Sequence, residues 1–244
     1  PAVLAFLQDS HEPDPNPNPR PGRWVGEESW PSQNITNIRY YLHDRALEDK
    51  PNLLNQKVII FSPLSLGLSS GEYMPISGVA ELPQDQRLDD SYSICFETET
   101  LIEHVDLLGT PYVKLKLSSD CSSGLIAARI CDIAPSGAST LMSFGILNLK
   151  LRNGRNHCEA IEPGAYMDIK IRLNDVGWSV KKGHRLRLAL SNQFWPMAWP
   201  LAERSKLKLC LDSSYIDLPV RRLDPKEKDI SIFKEAEAAD LPSH

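Results

Sequence analysis

Long hydrophobic runs are missing from this chain: no apolar stretch in its 244 residues approaches the roughly 18 residues that a membrane span requires. No membrane partner is therefore expected. An excess of positive charge is missing too. Lys and Arg number 27 against 32 Asp and Glu, for a net charge of −5. That balance gives no global field to attract phosphate backbones, so nucleic acid is not an expected partner. Glycine is scarce, with 13 residues against 19 prolines, which favours rigid turns over long regular helices. The five cysteines (Cys95, Cys121, Cys131, Cys158 and Cys210) are odd in number and never spaced as CxxC. A secreted disulfide scaffold more often shows an even, regular set, so these read as mostly buried thiols in a reducing, cytoplasmic compartment. None of the six histidines sits in H-x-x-x-H or H-E-x-x-H spacing, and neither a phosphate-cradling glycine loop nor a calcium loop is found. No metal and no cofactor are expected. The apolar start, Pro1 to Leu7, lacks a preceding basic region and a following small-residue cleavage pattern, so it is not read as a signal peptide. Without a secretion signal, the Asn34-Ile35-Thr36 sequon carries little weight.

What is present is period-two alternation. Ile38, Tyr40 and Leu42 alternate with Arg39 and Tyr41, and Val113, Leu115 and Leu117 with Lys114 and Lys116. Leu147, Leu149 and Leu151, then Ile169, Ile171 and Leu173, Leu186, Leu188 and Leu190, and Leu207, Leu209 and Leu211 repeat the pattern. Each segment has one apolar face and one mostly polar face, as a half-buried antiparallel strand does. Turn signals punctuate them at Pro135-Ser136-Gly137, Asn153-Gly154, Pro163-Gly164 and Lys182-Gly183. The expectation is an all-β chain, a jelly-roll β-sandwich with its Lys and Arg faces in water. Residues 1–22 read as a strand remnant plus a Pro-rich linker, as a fragment of something larger would begin, residues 23–222 as the sandwich, and residues 223–244 as a charged, partly ordered tail.

Candidate chemistry is thin. Gly67-Leu68-Ser69-Ser70-Gly71 is a literal G-x-S-x-G match, but that motif works on a strand-to-helix turn. Pro75 and Gly78 follow it and only 66 residues precede it, so it reads as a Ser/Gly-rich loop. His104 lies near Glu103 and Asp106, and His157 adjoins Cys158, without enough convergent groups for a metal or a dyad. Glu97 and Glu99 share one expected strand face, roughly 7 Å apart, where a glycosidase pair would instead flank a cleft. Three of the five tryptophans precede proline: Trp30, Trp195 and Trp199. Tryptophan suits either a sugar platform or a packing and interface anchor, and the anchor role is favoured.

An ordered series of segments resembles the C-terminal domain of the X-Pro dipeptidyl-peptidase and cocaine esterase (CocE/NonD) family of serine hydrolases. The series runs from Gly22-Arg23-Trp24 and Glu28-Ser29-Trp30-Pro31 through Asp85-Gln86-Arg87, Phe96 to Leu101, Gly109-Thr110-Pro111 and Leu117 to Asp120. It continues with Ala128 to Gly137, Gly145 to Asn148, Pro163-Gly164, Gly183 to Arg187 and Trp195-Pro196 to Trp199-Pro200. Each piece is short, but their order over roughly residues 20–220 is specific. Thr100 departs from the usual Pro.

The resemblance implies a jelly roll of the galactose-binding-like type that follows a catalytic α/β-hydrolase domain and carries none of its Ser-His-Asp triad. The implied role is to pack on that domain and help wall the substrate pocket. In relatives the segment before Asp-Gln-Arg approaches the pocket, which makes Tyr73 and Met74 the candidate wall residues; local packing is the alternative. Asp85 and Arg87 are placed to pair and pin that segment; a buried pair of this kind fixes geometry more than it stabilises. Trp30, Trp195 and Trp199 are candidates for domain-interface or packing roles. Self-association through an exposed interface is a further expectation. A free-standing carbohydrate-binding module, and an enzyme built on Ser69 or His104, are the alternatives.

Overall fold

The computed structural model describes residues 1–14, 19–72 and 82–222. Tyr73, Met74 and the tail 223–244 lie outside the described residues. In chain order the strands are β1 Val3–Asp9, β2 Gly22–Glu27, β3 Ile35–Leu42, β4 Leu47–Glu48, β5 Lys57–Ile60, β6 Ile94–Glu97 and β7 Val105–Gly109. They continue as β8 Tyr112–Ser119, β9 Leu125–Ile133, β10 Ser139–Asn148, β11 Met167–Arg172, β12 Val176–Val180, β13 Arg185–Ser191 and β14 Leu207–Arg221. A single α-helix among the described residues, α1, spans Arg87–Ser91. Among those residues no helix is long and apolar enough to cross a membrane.

The expected all-β sandwich is what forms. Ten strands make one sheet, with the path β11-β8-β14-β7-β12-β1-β2, β3 and β5 branching from β14, and β4 pairing with β3. Four make the other, in the order β10-β9-β13-β6. The alternating residues explain the core. Val113, Leu115 and Leu117 of β8, Ile169 and Ile171 of β11 and Leu207 and Leu209 of β14 face Ile126, Ala128 and Ile130 of β9 and Leu186, Leu188 and Leu190 of β13. Burying such side chains contributes about 1.5–3 kcal/mol each relative to exposure.

Three departures from the alternation have local causes. Leu149–Leu151 leaves the strand for a 3-10 turn, because the Asn148 side chain accepts a hydrogen bond from the Lys150 amide and so closes the chain on itself. Residues 3–9, expected outside the sandwich, are part of its larger sheet: β1 pairs antiparallel with β2 and parallel with β12, in the register Gln8↔Trp178. The sheet therefore begins at Val3. Finally, all nine residues of β9 are buried. One of its faces packs on the larger sheet. The other lies beneath a covering layer that includes residues 62–72, 82–93 and 192–199, where Leu66 and Phe194 enclose Ala127.

Candidate functional site

The covering layer gathers most of the residues that the sequence singled out. Its first element is the loop Gly67–Gly71. Gly67 has φ +112°, and a Cβ on it would collide with the Trp195 backbone; the Trp195 amide donates to the Leu66 carbonyl at 2.7 Å. Glycine is required here by close backbone packing and a left-handed conformation. The amides of Gly67 and Ser69 donate to Asp89 Oδ1 and Oδ2 at 2.9 and 3.1 Å. A 3-10 turn, Leu68–Ser70, replaces the helix that a nucleophile elbow needs. Ser69 is buried, and its amide is bound to an internal carboxylate.

The second element is α1 with the residues leading into it. Asp85 and Arg87 pair as expected, with Arg87 Nη2 2.7 Å from Asp85 Oδ2, but the Arg87 side chain is 62% exposed, so the pair sits on the surface. Burial tends to raise the Asp85 carboxyl, yet hydrogen bonds from the Arg87 side chain and from the Arg87 and Ser139 amides hold it below its ordinary value. The buried residue is the one between them. The Gln86 amide makes four hydrogen bonds. Its Nε2 donates to the carbonyls of Ser69 at 2.5 Å and Gln84 at 2.8 Å. Its Oε1 accepts from Ser70 Oγ at 3.0 Å and from Arg129 Nη1 at 2.9 Å. A primary amide can satisfy no more than this number comfortably.

Arg129 rises from the middle of β9 with no exposed surface. Its Nη2 donates to Ser93 Oγ and lies 3.0 Å from Asp90 Oδ1. Asp90 Oδ2 accepts from Arg187 Nη1 at 2.6 Å and from Ser139 Oγ at 2.7 Å. Glu97 pairs in turn with Arg187 and Arg185, so it is ion-paired rather than sharing a solvated strand face with Glu99, which lies beyond the end of β6. Burial works against the Arg187 charge, but Asp90 and Glu97 outweigh it and hold its pKa above the ordinary value. Burial pushes the Cys95 thiol up to about 12 and the Cys131 thiol higher still.

The outer surface of the layer is apolar. Leu64, Leu68 and Trp199 are 45%, 57% and 79% exposed around an open depression of about 430 Å³, also lined by Ser65, Trp195 and Pro200. Trp195 and Trp199 meet edge to face, 5.1 Å between ring centroids. Phe194 supports the loop from beneath, packed edge-on against Phe144 at 5.2 Å. The neighbouring residues 59–63 line a second depression of about 280 Å³ with Tyr92, so exposed Ile59, Phe61 and Tyr92 extend the apolar surface along the same connector.

Other candidates fall elsewhere. Trp30 is exposed and lies near Gly109 and Pro219 of the larger sheet. Exposed Trp30 and Trp199 thus belong to different layers, and the edge-on Trp195–Trp199 pair makes no flat double platform, so the carbohydrate-module alternative gains no support. His104 is exposed, while Asp106 is buried and paired with Arg23. His157 approaches Glu159 at 3.6 Å with its side chain mostly in water. His184 does more than pack a turn: its Nδ1 is 2.7 Å from Asp132 Oδ1. Asp132 Oδ2 accepts from Ser10 Oγ and from Trp178 Nε1. Serine and histidine both address the carboxylate there, whereas a triad needs the serine on the histidine; this cluster fastens the end of β1 to both sheets. Among the described residues no group of three or more His, Cys, Asp or Glu could hold a metal ion.

Known proteins place this geometry. Residues 1–235 match the family described as X-Pro dipeptidyl-peptidase C-terminal non-catalytic domain. The chain is similar to cocaine esterase from Rhodococcus sp. (strain MB1 Bresler), 27% identical over 116 residues that make up 47% of this chain and 20% of the esterase. It resembles in fold an aminopeptidase from a marine sediment Thaumarchaeota archaeon, with TM-score 0.69 and 19% identity over 81% of this chain and 39% of that one. It likewise resembles a CocE/NonD family hydrolase from Staphylococcus aureus, with TM-score 0.67 and 12% identity over 91% of this chain and 41% of the other. The chain therefore spans well under half the length of the proteins it matches. A β-sandwich whose reactive-looking serine loop is tied to its own carboxylate, matched along nearly all its length, belongs to the X-Pro dipeptidyl-peptidase C-terminal non-catalytic domain family.

Proposed function

We propose that this chain serves as the accessory domain of a larger serine hydrolase, docking through the Leu64–Leu68–Trp199 surface on a catalytic α/β-hydrolase domain of the same parent chain. In this reading the parent attacks an ester or amide carbonyl with an activated serine and releases the acyl-enzyme to water. The chain contributes no nucleophile. It contributes shape: the segment between Gly71 and Leu82 forms part of the substrate-pocket wall, with Tyr73 and Met74 as wall residues. Trp195 and Trp199 act as interface anchors, and Trp30 packs on the larger sheet. The setting is the cytoplasm, where its cysteines, free thiols in this fold, stay reduced.

The observation that carries this reading is the exposed apolar surface on the covering layer around Leu64, Leu68 and Trp199. Interfaces between domains of one chain bury about 600–1,500 Å², and exposed patches of this kind mark such contacts. In the parent chain, Trp199→Asp is expected to loosen docking, seen as at least tenfold faster proteolytic separation of the domains and a raised KM. The isolated chain is expected to hydrolyse an activated ester no faster than buffer. Unchanged docking in Trp199→Asp, or turnover by the isolated chain that Ser69→Ala abolishes, overturns the reading. Concentration-dependent self-association of the isolated chain, lost in the same variant, is the accompanying expectation.

A further inference from the structure

The outer face of the larger sheet lies on the opposite side of the sandwich from the loop Gly67–Gly71 and helix α1. In a chain of net charge −5, this face is locally basic. Lys114 and Lys116 of β8, Lys170 of β11, Lys208 of β14 and Lys57 of β5 point outward, on strands whose alternate residues Leu115, Ile169, Leu209 and Ile60 are buried. The arginines of the face have carboxylates of their own, Arg39 holding Asp217 and Arg172 holding Asp175. Among the described residues none of the five lysines is in an ion pair. Asp168 stands opposite Lys116, but Lys170 stands directly opposite Lys114, and like charges so placed destabilise a sheet. What steadies these lysines is aromatic. Lys170 Nζ is 3.9 Å from the Tyr112 ring centroid, Lys57 Nζ 5.7 Å from that of Tyr166 and Lys114 Nζ 5.9 Å from that of Tyr215. A ring attracts the cation without using up its three N–H donors, so each ammonium is held and still has hydrogens to give.

We propose that this face binds an extended acidic segment of another protein, whose carboxylates meet the unpaired lysines. Lys114 and Lys116 are two residues apart on one strand, roughly 7 Å at the usual rise, and carboxylates on alternate residues of an extended chain recur at the same interval. The opposed Lys114 and Lys170 are a cost to the free domain that a carboxylate lying between them removes. Nucleic acid fits less well. The rings that would stack on bases already carry cations, Tyr112 from Lys170 and Tyr215 from Arg39 at 3.7 Å. A long polyanion also meets the negative charge of the whole chain, whereas a short acidic segment senses charges only within about 8 Å in physiological salt. The inference does not depend on the hydrolase docking surface, which lies across the sandwich.

The test is fluorescence anisotropy of the full chain with a labelled peptide of alternating Glu and Ser, with a peptide of alternating Lys and Ser as the control. Saturable binding of the Glu peptide alone is expected, weakening at least fivefold between about 50 and about 300 mM NaCl. Lys114→Gln and Lys170→Gln are each expected to weaken it about fourfold, and together more than about tenfold, without lowering the melting temperature. Lys182→Gln removes an equal charge from the turn before β13 and is expected to change affinity less than about twofold. No saturable binding at the lower salt, or equal weakening in Lys182→Gln, overturns the proposal. So does tighter binding of a single-stranded oligonucleotide of equal charge or of phosphatidylserine vesicles, or self-association that Lys114→Gln abolishes, because the face would then have another occupant.

Discussion

On the open face of the larger sheet, Tyr41, Tyr215, Lys114 and Lys170 stand in one cross-strand row and Arg39, Asp217, Tyr112 and Arg172 in the next. Lys170 lies 3.9 Å from the Tyr112 ring centroid, and Arg39 grips Asp217 with both partners partly in water. On the outer face of the smaller sheet, Arg129 and Arg187 come from strands of the same alternating kind, yet they are roofed by the loop Gly67–Gly71 and helix α1. One face lets water satisfy its charges. The other must supply a partner for almost every polar atom, because an unpaired buried group costs far more than a paired one returns. A similar residue pattern therefore produces a tolerant surface in one place and a rigid, densely bonded base in the other.

Removing Arg129 should break this comparison most visibly if it is wrong. Arg129→Met leaves Asp90 short of a buried partner, and about 3–5 kcal/mol of stability is expected to be lost in urea unfolding. A loss no greater than that of Arg39→Met would erase the distinction between the faces.

The pair Glu27–Arg221 sharpens the comparison, because it is buried although it belongs to the larger sheet. Burial favours the protonated Glu27, but hydrogen bonds from Ser32, Arg221 and Asn34 prevail and hold its pKa below the ordinary value of 4.5. The unfolded chain thus takes up the proton first. The stabilisation is fully present above pH 4.5 and is lost as pH falls through the lower folded value. Urea midpoints measured from pH 7 down to pH 3 should show this decline in the wild type and a shallower one in Glu27→Gln. Equal slopes would mean that burial is not what separates the two classes of charge.

The smallest effect is expected for Arg39→Met. Its exposed pair should contribute no more than about 1 kcal/mol, shrinking further in high salt. A salt-independent loss above that would show the open face to be more organised than a solvated surface.

The alternation of Val113, Leu115 and Leu117 with lysines was readable because a strand's two faces are local facts of sequence. So was the rejection of Gly67–Gly71 as an elbow, since no helix could follow. The fate of Arg187 was not readable: its expected solvated face is covered by pieces drawn from residues distant in the chain, and nothing local announces a roof. Gln86 stands between the charged Asp85 and Arg87, and its own type carries no signal of burial. Glutamine is ordinarily a surface residue, and only the meeting of Ser69, Gln84 and Arg129 around it explains its burial. Likewise Leu149–Leu151 kept an apolar rhythm while Asn148 turned the chain.

The carboxylate of Asp89, lodged against the amides of Gly67 and Ser69, has a wider consequence. Two backbone amides converging beside a serine are what a developing oxyanion seeks. In this loop the berth is permanently taken by the protein's own anion, so an arriving acyl substrate would find neither vacancy nor favourable charge. A string of letters that satisfies a hydrolase pattern has become a self-ligated knot, and its first glycine is there to let another backbone pass close by.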